Sequence, residues 1–161
     1  MKKITLLLSI ALLWGCTSNN TGKKMPAFSS QTIDNKMINT EELEGKIVIL
    51  KIWATWCGMC ITEIPQLNQL VEKYKDDSEV VFIAITDDSE EKIKSFLQRK
   101  PFNYQHIVNS KDLKLLFQRG LIKEIPEHLV IDQKGNVIAD VSGQINDIAS
   151  FLDRHIQELK K

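Results

Sequence analysis

The sequence predicts an α/β fold in which helices cover both faces of one sheet. Two runs, residues 47–53 (IVILKIW) and 80–86 (VVFIAIT), are almost continuously apolar, as strands buried on both faces are. Helix signals follow each run, and strand and helix signals continue to alternate up to the C-terminus. This alternation is typical of a sheet that packs helices on its two faces.

The composition indicates one globular domain. The chain has 161 residues, of which 43% are hydrophobic and 26% charged, and this is enough to form a core without disulfide crosslinks. Lys plus Arg and Asp plus Glu each number 21, so no basic excess favours nucleic acid as a partner. The three cysteines, Cys16, Cys57 and Cys60, are too few for a disulfide-rich scaffold.

The first elements of the domain follow from turn signals. Residues 27–32 and 36–38 flank a turn at residues 34–35, which predicts a small β-hairpin. Residues 40–43 form a short helical turn that ends at Gly45.

The middle of the chain carries two helices and a short strand. The first buried strand leads into a helix that extends to about Lys75. Asp88 and Glu91 have the spacing of a capping box, which predicts the start of a helix that Pro101 ends. Residues 104–108 predict a short strand.

The last third of the chain predicts helix, strand, strand and helix. Ser110 caps a helix that Gly120 ends. Residues 128–132 and 137–141 are strands joined by a turn at residues 133–136. One face of the final helix carries apolar residues at helical spacing: Ile148, Leu152, Ile156 and Leu159.

A targeting segment precedes the domain. Lys2 and Lys3 are followed by the apolar run 4–14, which is too short to span a bilayer, since a spanning helix needs about 20 residues. The pattern predicts a secretory signal peptide over residues 1–15.

The signal peptide ends in a sequence that resembles a bacterial lipobox. Gly15 precedes Cys16, although Trp14 is larger than the residue that usually stands there. We therefore expect Cys16 to be lipidated, with residues 16–24 as a flexible tether and residues 25–161 as the domain. An ordinary signal peptide that contains a cysteine is the alternative.

The main chemical signal is Cys57 and Cys60, separated by two residues at a helix start. Helical spacing places Cys60 on the face that packs against the sheet. It places Cys57 at the helix tip facing solvent, where unpaired N–H groups and the helix dipole favour a thiolate. Cys57 would attack a partner's disulfide, and Cys60 would resolve the mixed disulfide.

Two other uses of the cysteine pair fit less well. A zinc site needs a further Cys or His pair, and the chain has only His106, His128 and His155. A structural disulfide would close too short a loop to stabilise the fold much. We expect no metal site and no cofactor beyond a redox-active disulfide.

The segment 48–60 (VILKIWATWCGMC) resembles the active site of thioredoxin-fold proteins. Its W-A-T-W-C run is most similar to the TlpA/ResA-like thiol–disulfide oxidoreductases of the AhpC/TSA–thioredoxin superfamily. That group's Cys-x-x-Cys-x-x-Glu-x-Pro pattern recurs here. The resemblance covers about residues 25–161, and it implies a thioredoxin-like fold: a central mixed β-sheet flanked by helices, with an N-terminal β-hairpin extension.

The resemblance also implies roles for the residues that contact the partner. Cys57 is the nucleophile and Cys60 the resolving thiol. Pro126 matches the family's cis-proline, which faces the cysteine pair across the groove where substrate binds. Trp56 and Ile125 are expected to contact the partner.

Glu63 matches the family's acidic residue near the cysteines. Because it follows Cys60 by three positions, it shares one side of the helix with that residue. A partly buried carboxyl has a raised pKa and could exchange a proton with the resolving thiol. The alternative is a solvated glutamate that only complements the helix dipole.

Lys51 lies six positions before Cys57, where relatives commonly carry a neutral or acidic polar residue. Inside an apolar run its charge needs a partner, and it could reach Glu63 or the Cys60 sulfur and favour the thiolate. Alternatively its ammonium extends to the sheet edge and remains in water. His128 either points at the site or is a core histidine, and the core position is favoured.

These features predict a monomeric, membrane-tethered thiol–disulfide oxidoreductase outside the cytoplasm, on the periplasmic face in a Gram-negative cell. A low-potential member would reduce disulfides of exported proteins and be re-reduced by a membrane electron donor. Family likeness suggests the haem-binding cysteines of apocytochrome c as substrates. An oxidase would differ only in redox potential.

Two further functions are weighed against this one. Cys57, Cys60 and His128 could bind copper(I), a soft ion, in a carrier without enzymatic activity. A peroxidase is disfavoured, because the proline of the pattern P-x-x-x-[TS]-x-x-C does not precede Cys57.

Overall fold

A computed structural model describes residues 22–108, 110, 116, 120, 121 and 124–161. The expected signal peptide, Cys16 and most of the expected tether fall on residues 1–21, outside the described residues. Most of the helix expected between Ser110 and Gly120 also falls outside them. Within the described part of the chain, no helix combines the length and apolarity needed to cross a bilayer.

A two-stranded hairpin comes first, as the turn signal predicts. Strands β1 (Ser29–Gln31) and β2 (Met37–Asn39) pair antiparallel. The turn between them contains Asn35 at φ 61°, a left-handed conformation that asparagine tolerates better than most residues. The N-terminal β-hairpin extension is thereby confirmed.

A five-stranded mixed sheet forms the centre of the domain. Its central strand is parallel to one neighbour and antiparallel to the other. The strands, listed across the sheet, are β5 (Gln105–Ile107), β4 (Val80–Ile85), β3 (Ile47–Ile52), β6 (Glu127–Ile131) and β7 (Val137–Ser142). Every residue of β3 is buried, because this strand has neighbours on both sides and covered faces above and below. The expected mixed sheet is confirmed.

One face of the sheet packs against three helices: α1 (Gly58–Lys73), α2 (Glu90–Arg99) and α3 (Ile148–Leu159). They share one apolar cluster with the alternate residues of β3 that point to this side. The cluster includes Ile49, Trp53, Ile64, Ile93 and Leu152. The cysteine pair belongs to the same cluster, so the site lies at the edge of the larger core.

The opposite face of the sheet forms a second apolar cluster. Val48, Leu50 and Ile52 pack here with residues of β6, the hairpin and the N-terminal segment, and with Leu116 and Leu121. Helices were expected on both faces. The three described helices lie on one face, and the helix expected between Ser110 and Gly120 falls largely outside the described residues.

The N-terminal segment of the described chain is attached to the turn between β6 and β7. The backbone N–H of Gly22 donates to the Val137 carbonyl over 2.7 Å, and the Val137 N–H donates to the Lys23 carbonyl over 2.8 Å. The Met25 N–H donates to the Gly135 carbonyl over 3.0 Å. This turn lies at the C-terminal end of β6, and β6 begins beside the C-terminal end of β3. The segment is therefore held at the end of the sheet away from the cysteines.

Candidate active site

Cys57 and Cys60 form a disulfide at the N-terminus of α1. Cys57 is the N-cap residue, and its sulfur accepts a hydrogen bond from the backbone N–H of Cys60 over 3.2 Å. Cys57 is 6% exposed and Cys60 is fully buried. Cys57 is the more accessible of the two, as predicted, but in the oxidised form it is less exposed than a residue facing solvent would be.

Apolar side chains are exposed beside the cysteines. Trp56 is 69% exposed and Met59 is 43% exposed. Neither side chain is needed to fill the core, so both are free to contact another molecule. Exposed apolar groups that flank a reactive sulfur are suited to hold a protein segment against it.

Pro126 stands at the same end of the sheet as the cysteines. The Ile125–Pro126 peptide bond is cis, which confirms the expectation from the family likeness. Glu127, the next residue, is the register partner of Ile52, the last residue of β3 before the loop that carries Cys57. Ile125 is half-buried, so the sheet brings this loop to the site.

Lys51, Glu63 and His128 form a buried polar cluster on the same side of the sheet as the cysteines. Lys51 Nζ lies 2.5 Å from Glu63 Oε2, and His128 Nε2 lies 3.0 Å from the same oxygen. Lys51 Nζ and His128 Nε2 are 3.2 Å apart. Lys51 and His128 are fully buried, and Glu63 is 2% exposed. We refer to these three residues as the buried triad.

Topology brings the buried triad together. Lys51 on β3 and His128 on β6 are register partners in adjacent antiparallel strands, so their side chains leave the same face of the sheet. Glu63 extends toward them from α1, which packs on that face. The expected contact of Lys51 with Glu63 is confirmed, and the expectation that its ammonium remains in water is wrong. His128 is buried, as favoured, but it binds the ion pair instead of apolar neighbours alone.

The charges of the buried triad depend on one another. Burial raises the pKa of Glu63. The hydrogen bond to His128, the charge of that ring in its protonated form, and the charge of Lys51 outweigh burial and hold the pKa of Glu63 below its usual value. The expected raised pKa of Glu63 is therefore wrong, as is the solvated alternative. Burial lowers the pKa of Lys51, against the opposing effect of Glu63. Burial and the Lys51 charge lower the pKa of His128 to about 4, so its ring is neutral at pH 7.

Asp88 has a role at the site that the sequence did not reveal. Its carboxylate accepts a hydrogen bond from the Thr55 backbone N–H over 2.7 Å and one from Lys92 Nζ over 2.9 Å. Thr55 lies in the loop that carries Cys57, so Asp88 holds that loop against the start of α2. The expected cap at Asp88 is wrong, because Ser89 is the N-cap residue and accepts from the Lys92 N–H.

The structure offers no ligand set for the copper alternative. His128 Nε2 already contacts the other two members of the buried triad. Among the described residues, no three His, Cys, Asp or Glu side chains are arranged to hold a metal ion. His128 and the two cysteines are therefore not brought together as ligands.

Comparison with known proteins links the chain to redox proteins. A family model described as the AhpC/TSA family matches residues 21–140. The thiol-disulfide oxidoreductase ResA of Bacillus thuringiensis subsp. konkukian is 28% identical over 123 residues, which cover 76% of this chain and 70% of that protein.

Solved structures support the fold. A putative thiol:disulfide interchange protein DsbE from Chlorobium tepidum superposes with a TM-score of 0.76 at 24% identity, covering 88% of this chain and 98% of that chain. A thiol:disulfide interchange protein of the thioredoxin family from Chlorobium tepidum TLS superposes with a TM-score of 0.71 at 26% identity, covering 83% of this chain and 95% of that chain. The likeness extends over nearly the whole of both neighbours.

Proposed function

Because the chain belongs to the AhpC/TSA family, we propose that it reduces disulfides of exported proteins from a membrane-tethered position outside the cytoplasm. It is a thiol–disulfide oxidoreductase with a thioredoxin-like fold, similar to the TlpA/ResA group. The observation that carries the proposal is the Cys57–Cys60 pair at the N-terminus of α1, with one sulfur buried and the other at the helix tip. We propose that it acts as a monomer and uses no cofactor beyond this pair.

The reaction is a two-step exchange. The Cys57 thiolate attacks one sulfur of the partner's disulfide, forms a mixed disulfide and releases the first partner thiol. Cys60 then attacks the Cys57 sulfur, releases the second partner thiol and closes the Cys57–Cys60 disulfide. The partner gains two electrons and two protons. A dithiol donor, for which we propose a membrane protein, then reduces the Cys57–Cys60 disulfide again.

The pairing of Lys51 bears on the direction of the reaction. A strongly oxidising pair needs extra stabilisation of its reduced thiolate, as a nearby unpaired cation would provide. The Lys51 ammonium is paired with Glu63, so it is not an unpaired cation beside the cysteines. This pairing supports the reducing direction.

The reduction potential of the Cys57–Cys60 pair, measured against glutathione, tests the direction. A reductase should equilibrate below the glutathione couple, and a potential well above it would instead indicate an oxidase. Cys60→Ala should trap the substrate as a mixed disulfide, while Cys57→Ala serves as the control that traps nothing. Recovery of apocytochrome c would identify it as the substrate, and recovery of other exported proteins would exclude a role dedicated to cytochromes.

Lipid attachment at Cys16 accounts for the proposed tether. In cells that produce the full chain, Cys16→Ser should move the protein from the membrane fraction to the soluble extracytoplasmic fraction. Metabolic labelling with a fatty acid should mark the unchanged protein and not the variant. Membrane retention of the Cys16→Ser variant would contradict a lipid anchor at this residue.

A further inference from the structure

Neither neutral tautomer of His128 gives each of the three close contacts in the buried triad both a donor and an acceptor. Lys51 Nζ, Glu63 Oε2 and His128 Nε2 lie between 2.5 and 3.2 Å from one another. If His128 carries its proton on Nε2, it donates to Glu63, but this N–H then faces the N–H groups of Lys51. If the proton is on Nδ1, Nε2 accepts from Lys51, but its lone pair then faces the Glu63 carboxylate. With Lys51 and Glu63 both charged, neither tautomer satisfies all three contacts.

The far side of the His128 ring does not fix the tautomer. In most buried histidines the hydrogen bond at one nitrogen decides which nitrogen carries the proton. Within the described part of the chain, His128 Nδ1 has no hydrogen-bond partner, and neither has Glu63 Oε1. The His128 ring can therefore gain a proton, lose one or change tautomer without breaking a hydrogen bond at Nδ1.

Other titratable groups near His128 are few. From α1 it faces Glu63, with Cys60 one helical turn away, and from β3 it faces Lys51. Tyr104 and His106 lie on the β5 side, where His106 is separated from Lys51 by Ala84 in the same row of the sheet. Its register partner on β7 is Val141. The helix α3 contributes only apolar residues to the cluster: Ile148, Leu152 and Ile156.

Cys60 is fully buried, so a proton that enters or leaves its sulfur is exchanged with a neighbouring group more readily than with water. Glu63 is three positions further along α1 and shares its side of the helix. Glu63 Oε2 in turn lies on His128 Nε2. Glu63 is therefore the residue that neighbours Cys60 along α1 and also contacts His128.

We propose that His128 holds a proton that the site takes up when the Cys57–Cys60 disulfide is reduced, with Glu63 as the link to Cys60. This inference rests on the proposed thiol–disulfide exchange at Cys57 and Cys60. It does not depend on whether the protein reduces or oxidises its partner. His128 acts through Glu63 and is thus a positioning residue for the proton, since it does not contact the reacting sulfurs.

A donor dithiol supplies two electrons and two protons, and its own sulfurs become a disulfide. One proton goes to the Cys60 sulfur. The second is held on the His128 ring while Cys57 remains a thiolate, because a new negative charge in a poorly solvated site favours a nearby cation. Both protons leave with the two thiols of the substrate when the enzyme is reoxidised.

The direct test follows the nitrogen NMR signals of both histidine rings, in oxidised and reduced protein, across pH 5 to 8. Reduction should increase the proton affinity of His128 about a thousandfold or more, because a ring with a pKa of about 4 in the oxidised protein must hold its proton at pH 7 in the reduced protein. His106 is the matched control, because it is also buried on the same face and its Nε2 contacts the Phe102 carbonyl at 2.8 Å. Its titration should be the same in both redox states. Superimposable His128 titrations, or equal shifts of both histidines, would overturn the proposal.

A variant gives an independent test. His128→Gln keeps hydrogen-bonding groups toward Glu63 and Lys51 but cannot titrate. Above the pKa of the Cys57 thiol, the midpoint potential of the unchanged protein should change with pH with the slope expected for two protons taken up per two electrons. The potential of His128→Gln should change with the slope expected for one proton. His106→Gln should retain two. A slope of two in a folded His128→Gln would overturn the proposal, and if that variant does not fold, the NMR comparison on the unchanged protein decides.

The two proposals fail separately. A potential above that of glutathione would overturn the reducing direction but would leave the pH slope as predicted. A slope of one proton in the unchanged protein would overturn proton uptake at His128 and would leave the direction intact.

Discussion

Lys51 and Glu63 form a buried ion pair between the sheet and α1, with 2.5 Å between Nζ and Oε2. A lysine in the central strand of a sheet costs desolvation energy unless an anion meets it. Here α1 supplies that anion three positions after the resolving cysteine. The departure from the family pattern at Lys51 is thus matched by the position of Glu63.

Lys51→Met should destabilise the protein strongly. The change leaves the Glu63 carboxylate buried with only His128 beside it, and loss of one partner of a buried pair costs roughly 3–5 kcal/mol. Urea denaturation of the oxidised protein at pH 7 measures the loss. The double variant Lys51→Met with Glu63→Leu removes both charges and should recover most of it. A double variant less stable than the single one would contradict this account.

Lys51→Met should also raise the pKa of the reactive thiol. Without the ammonium, the Glu63 carboxylate acts on the cysteines uncompensated, and a nearby negative charge disfavours a thiolate. The pH dependence of alkylation of the reduced protein reports this pKa. The double variant with Glu63→Leu should reverse the rise, and an unchanged alkylation profile in Lys51→Met would refute the link.

Stability should fall as the pH drops from 6.5 toward 4. The folded pKa of His128 is about 4 against 6.5 for the free group, so within this window the unfolded chain binds the proton first. By linkage the free energy of unfolding then decreases with decreasing pH, for this one group by roughly 3 kcal/mol in all. Urea denaturation of oxidised protein at several pH values measures the decline.

A matched variant isolates the His128 contribution to acid sensitivity. His128→Gln should show a shallower decline between pH 6.5 and 4. Part of the decline should remain, because Lys51 still lowers the pKa of Glu63, and the stabilisation this gives above the ordinary value of 4.5 is lost as the pH falls through the folded value. Parallel curves for the variant and the unchanged protein would show that His128 is not held neutral by the fold.

Asp88→Ala should loosen the loop that carries Cys57. The variant loses the acceptor for the Thr55 N–H and the partner of Lys92, and hydrogen bonds to a charged group are worth about 1.5–3 kcal/mol each. We expect a stability loss of that order and a several-fold slower reaction of reduced Cys57 with a small chromogenic disulfide. Ser89→Ala, which removes only the cap of α2 and costs about 1 kcal/mol, should leave the rate unchanged. Equal rates in all three proteins would show that Asp88 does not position the loop.

Trp56→Ala should separate partner binding from chemistry. Because Trp56 is 69% exposed, its loss should change stability by no more than about 0.5 kcal/mol. The reduction rate of a protein disulfide should fall several-fold, while that of a small disulfide stays the same. Met37→Ala removes a comparably exposed apolar side chain on the hairpin and should affect neither rate. A uniform loss with both substrates would place Trp56 in the chemistry instead.

The elements that position the cysteines are predictable because their signals are local. The apolar run that forms β3 and the helix that begins beside Cys57 both follow from residues adjacent in the chain. Glu63 could be placed near Cys60 from helical spacing alone. By sequence the Lys51 ammonium could reach Glu63, the Cys60 sulfur or the water at the sheet edge, and only the packing of α1 on the sheet decides among these three.

The residues whose contacts the sequence does not predict depend on neighbours distant in the chain. His128 meets Lys51 because β6 lies antiparallel beside β3, a pairing across 77 positions of the chain, which no local pattern encodes. Asp88 has the spacing of a helix cap, but its carboxylate is taken by Thr55, 33 positions earlier. The strand order would have been the signal for His128, since register partners in adjacent strands share a face.

The attachment of residues 22–25 to the turn between β6 and β7 places the start of the described chain at the end of the sheet opposite the cysteines. Six residues of β3 separate that end of the sheet from the cysteine loop, a distance of about 20 Å for an extended strand. If the chain is tethered through its N-terminus, as we propose, the tether leaves the domain at the end opposite the cysteines. Trp56 and the Cys57 sulfur would then lie on the side away from the membrane, open to incoming proteins.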